Sequence, residues 1–174
     1  TLLPLGAGAV DWDAPELSIH GFASAGYIAT TGNNYYGKTR NGGALDYYEA
    51  GVNAFTQLSP HLSVAGQLLS RKAGATDDGS VRLDYGFIDL HTATDSRLGV
   101  RIGRVKNPMG FHNKSRDVLS TRPSILLPQS IYHEGIGVRE LLFSSDGVQL
   151  YGDHEWEAGQ QTSLQLNLVQ AKRA

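Results

Sequence analysis

The chain has 174 residues, a length typical of a single domain, and a formal net charge of -2, which gives no reason to expect nucleic-acid binding. It contains no cysteine, so disulfide frameworks, thiolate metal sites and cysteine nucleophiles are excluded. No run approaches the roughly 18 to 20 apolar residues of a membrane-spanning helix, and the 21 glycines and 8 tyrosines suit strands and turns.

The first residues resemble the end of a secretory signal peptide. The stretch LLPLGAGA, residues 2–9, places an apolar core before an A-x-A cleavage pattern at Ala7, Gly8 and Ala9. An apolar leader that is not a signal sequence is the alternative. We therefore expect residues 1–15 to be a leader or signal-peptide remnant with an N-terminal extension, and residues 16–174 to form the folded domain.

Alternation of apolar and polar residues predicts seven β-strands. The first begins at Leu17, where Leu17 and Ile19 alternate with Ser18 and His20. The other segments with this period lie at about residues 45–58, 62–71, 81–92, 98–103, 148–156 and 162–171. The cleanest alternation is in the last segment, where one face has Leu164, Leu166 and Leu168 and the other has Ser163, Gln165 and Asn167.

The first long connection contains a possible nucleotide-binding motif. Residues 32–39, GNNYYGKT, match the phosphate-loop pattern G-x-x-x-x-G-K-[ST]. That loop requires a following helix, whereas the next residues, Arg40 to Gly43, end in a Gly-Gly pair that favours a loop. We therefore interpret the motif as an exposed hairpin loop, and no nucleotide partner is predicted.

The fourth predicted strand changes parity part of the way along. Leu83, Tyr85 and Phe87 share one face, whereas Ile88 and Leu90 belong to the other. A strand keeps strict alternation unless an extra residue is inserted into it. We therefore expect either a β-bulge in this strand or a locally mixed interior.

Short and long connections alternate along the chain. Turns at 59–61, 94–96 and 157–160 are separated by polar loops at about 31–43, 72–80 and 105–145. Strands of about ten residues joined in this way are typical of a transmembrane β-barrel with tight periplasmic turns and long external loops. A soluble barrel with an apolar interior shares the alternation and stays as the alternative.

The longest connection gives the most specific signal. Residues 103–132, GRVKNPMGFHNKSRDVLSTRPSILLPQSIY, resemble the region after the fifth strand of Gram-negative outer-membrane porins, especially the group of phosphate-selective and other substrate-selective porins. In porins the third external loop folds back into the barrel and narrows the pore. The resemblance implies an antiparallel transmembrane β-barrel of about 16 strands. This chain then covers roughly the first seven strands, with the constriction loop after the fifth.

The same resemblance implies a function and a location. The chain is expected to belong to a channel in the bacterial outer membrane for passive diffusion of small hydrophilic solutes. Its expected partners are membrane lipid, lipopolysaccharide, the solutes or anions, and the other subunits of a homotrimer. It is not expected to be an enzyme or to use a cofactor. The alternative interpretation is a soluble or periplasmic β-barrel that binds a small ligand in its interior.

The charges of the long connection predict an anion preference, because fixed charges at a constriction bias which ions enter. Between Arg104 and Leu142 there are six basic and three acidic residues. Each basic residue either lines the pore or pairs with an acid and fixes the loop to the wall. The predicted constriction residues are Arg104, Lys106, Lys114, Arg116, Arg122 and Arg139, and the predicted lumen-wall residues are Glu49, Arg71, Arg82 and Arg101.

No catalytic or metal site is predicted. Ser18 and His20 share a strand face, but no third orienting group has a predictable position. The His-Glu pairs at 133–134 and 154–155 match no known metal-site spacing. The aromatic residues expected in an interfacial girdle near the last short turn are Tyr151 and Trp156.

Overall fold

The computed structural model describes residues 15–34, 36–40, 42–73, 77–92, 97–108, 121, 123, 144–156 and 161–170. Its strands are β1 (Leu17–Ile28), β2 (Ala44–Ser59), β3 (Leu62–Ala73), β4 (Asp78–His91), β5 (Arg97–Lys106), β6 (Ser144–Glu155) and β7 (Gln161–Gln170). They form one sheet in chain order with every neighbouring pair antiparallel, which confirms the predicted all-β antiparallel class and the seven strands. Within the described ranges the sheet is open, with β1 and β7 at its edges. A search of these residues for a helix able to span a bilayer finds none.

The register of the sheet separates an apolar face from a polar face. Apolar residues alternate along each strand and come opposite one another on neighbouring strands. One such row consists of Val64, Ile88, Ile102, Val148 and Leu168. On β7 the side chains of Leu164, Leu166 and Leu168 are 73%, 53% and 62% exposed. We call the surface that these residues form the apolar face, and the opposite surface the polar face.

The predicted bulge lies at Asp84. Gln67 on β3 pairs with Tyr85 and the next residue, Leu68, pairs with Leu83, so Asp84 is an extra residue in β4. The insertion keeps Leu83 on the apolar face beside Leu68, while Phe87 further along the strand belongs to the polar face. The change of parity in the sequence therefore has the expected cause.

Aromatic rings pack over glycines at three cross-strand pairs of the polar face. These pairs are Gly26 with Tyr47, Phe22 with Gly51, and Gly99 with Tyr151. At each glycine an added Cβ would meet the ring of its partner. A glycine inside a strand weakens it, and an aromatic side chain placed over it restores packing and helps to fix the register.

The apolar residues form a band that crosses the strands obliquely. On β7 the band is centred at Leu166, which registers through β6, β5 and β4 with Leu62 on β3. On β1 the band extends from Leu17 to Tyr27, with its midpoint at Phe22. Phe22 pairs with Gly51 on β2, which in turn pairs with Leu69 on β3. The centre thus moves by seven residues, from 62 to 69, over six strand pairs. At about 3.3 Å per residue and about 4.8 Å between strands, the strands incline by about 40° from the normal to the band.

Candidate functional site

The polar face carries charged and amide side chains that are buried. They fall on this face because they alternate with apolar residues, as Arg101 does between Val100 and Ile102. Residues of this face that are less than a tenth exposed include Glu49, Gln67, Arg71, Asp84, Asp89 and Gln149. All four predicted lumen-wall residues lie on the polar face, where they belong to two separate charged clusters.

The first cluster joins three of the predicted wall residues to Asp77. Arg71 Nε lies 3.1 Å from Glu49 Oε1, its register partner on β2, and 3.5 Å from Asp77 Oδ2. Arg82 Nη1 lies 2.7 Å from Asp77 Oδ1. The cluster contains two bases and two acids. Because the Arg71 side chain is only 10% exposed, its ion pair with Glu49 ties β3 to β2 rather than presenting charge to solvent.

The second cluster surrounds the bulge residue Asp84. Lys106 Nζ lies 2.8 Å from Asp84 Oδ2, and Gln67 Nε2 donates a hydrogen bond of 3.0 Å to the same oxygen. The ammonium of Lys106 is also 5.3 Å from the centre of the Tyr85 ring. Lys106, a predicted constriction residue, is therefore paired with a buried acid at the end of β5.

The third cluster is centred on Arg101. Arg101 Nε donates to Asp89 Oδ2 at 3.0 Å, and Nη1 donates to Gln149 Oε1 at 3.0 Å; both partners are its register neighbours. The Arg101 guanidinium carbon lies 5.1 Å from the centre of the Phe87 ring and 4.3 Å from that of Tyr151. The Tyr151 hydroxyl donates to Asp89 Oδ1 at 2.8 Å. Tyr151 is thus buried on the polar face, and the prediction that it lies in an interfacial girdle is wrong.

A chain of amide hydrogen bonds extends from this third cluster. Gln149 Nε2 donates to Asn167 Oδ1 at 2.9 Å, and Asn167 Nδ2 donates to Asn107 Oδ1 at 2.7 Å. Asn107 Nδ2 then donates to Ser145 Oγ at 2.8 Å. The sequence pattern placed Asn167 on a polar strand face but predicted no site role for any of these amides, although the alternation of Gln149 and Asn167 with apolar residues was a usable signal. These hydrogen bonds link β6 and β7 to Asn107, the residue that directly follows β5.

Arg104 lies on the other face of the sheet from these clusters. It has the same parity as Ile102, and its Nη1 is 3.2 Å from Asp146 Oδ1 on β6. Together with Gln170 these residues form a polar row next to the row that contains Ile102. Arg104, predicted at the constriction, therefore marks one edge of the apolar band on β5. The remaining predicted constriction residues, Lys114, Arg116, Arg122 and Arg139, lie outside the described residues.

Two other sequence predictions concern the connections. Residues 32–34 and 36–40 form turns and bends, closed by a hydrogen bond from Thr30 N to Thr39 O of 3.1 Å, and the chain continues into β2. The motif is thus in a hairpin loop, as predicted. The other prediction concerns Trp156, which was expected in an interfacial girdle near the last short turn. Trp156 follows β6, is 55% exposed and donates a hydrogen bond from Nε1 to Thr162 Oγ1 at 3.1 Å.

The described residues contain no group of three or more side chains suited to hold a metal ion. Comparison of the chain with protein-family models, with curated protein sequences and with solved structures finds no match.

Proposed function

We propose that this chain is part of a β-barrel in the bacterial outer membrane that forms a channel for passive diffusion of small hydrophilic solutes, with an anion preference. The observation that carries the proposal is the polarity of the two faces. Leucines such as Leu164, Leu166 and Leu168 are exposed, whereas charged residues such as Glu49 and Asp84 are buried on the opposite face. A channel needs an apolar surface toward lipid and a hydrophilic surface toward its pore.

The oblique course of the apolar band supports a membrane barrel. Strands of such barrels are tilted by about 35 to 45° from the membrane normal, so a level lipid-facing belt crosses them obliquely. The inclination of about 40° obtained from strand register agrees with this tilt. A soluble barrel that binds a ligand in an apolar interior requires these leucines to point inward, and their exposure gives that alternative no support.

The anion preference rests on the sequence rather than on the described wall. In the three clusters, four bases (Arg71, Arg82, Arg101 and Lys106) are balanced by four acids (Glu49, Asp77, Asp84 and Asp89). We propose that the preference comes from residues 107–142, where the four basic residues Lys114, Arg116, Arg122 and Arg139 outnumber three acidic ones. The lipopolysaccharide contact, the homotrimer and the total of about 16 strands rest on the resemblance to porins.

Cysteine substitution tests the orientation of the sheet: this chain contains no cysteine, and any cysteine elsewhere in the complete protein is first replaced by serine. Leu166→Cys and Leu168→Cys are compared with Asn167→Cys in the complete natural protein in outer-membrane vesicles. We expect a charged, membrane-impermeant thiol reagent to label the Asn167 variant alone and an apolar maleimide to label the leucine variants. Equal labelling of all three variants by the charged reagent would contradict a lipid-facing β7.

Planar-bilayer recording then tests the channel itself. The complete protein is expected to give discrete conductance steps, with a reversal potential in a KCl gradient that favours chloride. Neutralising Lys114, Arg116 and Arg122 together should move the reversal potential toward that of potassium. A cation preference that these substitutions leave unchanged would refute the anion assignment, whereas absence of conductance would refute the channel.

A further inference from the structure

We infer that His91 makes the channel respond to pH, because a proton on its imidazole gives a wall cluster that is otherwise neutral a positive charge. This inference rests on the proposed channel function, in which the polar face lines the pore, and it adds a form of regulation to that function. Histidine is the residue whose charge ordinarily changes between about pH 5 and 8.

His91 lies at the end of β4, beside the third cluster. Its Nδ1 is 3.8 Å from Asp89 Oδ1, and the two side chains are 13% and 10% exposed. This nitrogen is buried and has no hydrogen-bond partner among the described residues. Such a group is uncommon in folded proteins and calls for a physical reason. Here a carboxylate oxygen lies just outside hydrogen-bond distance, so the ring is placed to gain a partner when it gains a proton.

Protonation changes what this contact can do. In the imidazolium both ring nitrogens are donors. Nδ1 then has to approach Asp89 Oδ1 by only about 1 Å to form a charge-assisted hydrogen bond. Oδ1 already accepts from the Tyr151 hydroxyl at 2.8 Å, and a carboxylate oxygen has room for a second donor. Arg101 Nε uses the other oxygen, Oδ2, so the new bond leaves that ion pair in place.

Charged and titratable groups surround His91 on each strand packed near it. They are Asp89 on β4, Arg101 on β5, Tyr151 on β6 and His61 directly before β3, with Arg97 and Asp153 one register row further along β5 and β6. Asp89 is the acid next to His91, and its charge is balanced by Arg101 at 3.0 Å. The third cluster therefore carries no net charge while His91 is neutral and one positive charge once His91 is protonated.

The other described histidines differ from His91 in their surroundings. His61 is exposed, and its Nδ1 donates to the backbone oxygen of His91 at 3.0 Å, so its ring contacts backbone rather than an acid. His20 is exposed and registers with Asn53. His154 has the parity of Leu150 and belongs to the apolar face. His61 is thus the matched control, a histidine at the same end of the wall but outside the cluster.

The test is the reversal potential of the complete protein in a dilute KCl gradient at pH 8 and at pH 5.5. We expect the proton on His91 to raise the chloride-to-potassium permeability ratio about two- to threefold, the effect of one charge about 7 Å from a passing ion at the dielectric constant of water. The rise in His91→Gln should be smaller than in wild type by this factor, whereas His61→Gln should keep the wild-type rise. His91→Lys carries its charge at both pH values and should have the raised ratio already at pH 8.

A conducting His91→Gln channel with the wild-type response to pH would overturn the inference. So would a His91→Lys channel whose ratio at pH 8 equals that of wild type, and this variant is the deciding one if His91→Gln fails to fold. A wild-type channel whose ratio is the same at both pH values would also overturn it and would leave the proposed function intact. A wild-type protein that forms no channel would instead refute the proposed function, so the two failures are distinguishable.

Discussion

The ion pair between Lys106 and Asp84 gives the sharpest prediction about stability. Its atoms are 2.8 Å apart, and the two side chains are 12% and 3% exposed, so solvent screens the pair little. Lys106→Met removes a cation that lies against the buried Asp84 carboxylate. Breaking a buried pair in this way costs about 3 to 5 kcal/mol of folding free energy. The double variant Asp84→Asn with Lys106→Met removes both charges and should lose much less than the single variants Asp84→Asn and Lys106→Met combined.

Urea unfolding of the complete protein in lipid vesicles, followed by tryptophan fluorescence, measures these free energies. The matched control is Lys72→Met, because Lys72 Nζ lies 3.9 Å from Asp46 Oδ1 with both side chains about 40% exposed. Such a surface pair contributes about 0 to 1 kcal/mol. If Lys106→Met destabilises the protein no more than Lys72→Met does, burial of the Asp84 pair has no energetic consequence and the reasoning fails.

Two further predictions concern packing and the apolar face. Gly99→Val should destabilise the protein by about 1 to 3 kcal/mol in the same unfolding assay, because the added Cβ would meet the Tyr151 ring. Gly66→Ala is the control and should change stability little, because the nearest atom to an added Cβ is 3.7 Å away. With the band at mid-membrane, Leu166→Arg should lower the free energy of unfolding in lipid vesicles by about 2 to 4 kcal/mol, and Asn167→Arg on the polar face should lower it much less. Equal losses for the two variants would contradict the lipid-facing assignment.

The strands and the bulge were predictable because their signals are local. A period of two is a property of consecutive residues, and β7 keeps it from Ser163 to Leu168, with Leu164, Leu166 and Leu168 on one face. The parity change near Leu83 likewise needed no knowledge of the neighbouring strand. Elements whose evidence lies within about ten residues were therefore accessible from the sequence alone.

The pairing of charges was not predictable, because it depends on register between distant strands. Asp89 and Gln149 are 60 positions apart in the sequence, yet both bind the same guanidinium of Arg101. Tyr151 was misplaced for the same reason, since its hydroxyl partner is on β4. Arg104 is different: it has the parity of Ile102, a signal present in the sequence, and its ion pair with the exposed Asp146 agrees with a position on the apolar face.

The four bases and four acids of the polar-face clusters balance, so a count of basic residues alone does not predict ion selectivity. The clusters of the polar face pair each of their four bases with an acid, so their net charge gives no preference. What differs between clusters is which partner reaches solvent. Lys106 and Asp84 are both buried, whereas Arg101 is more exposed than Asp89. In a channel built on this wall, ion preference would therefore depend on the accessibility of individual partners, a property set by strand register and aromatic packing.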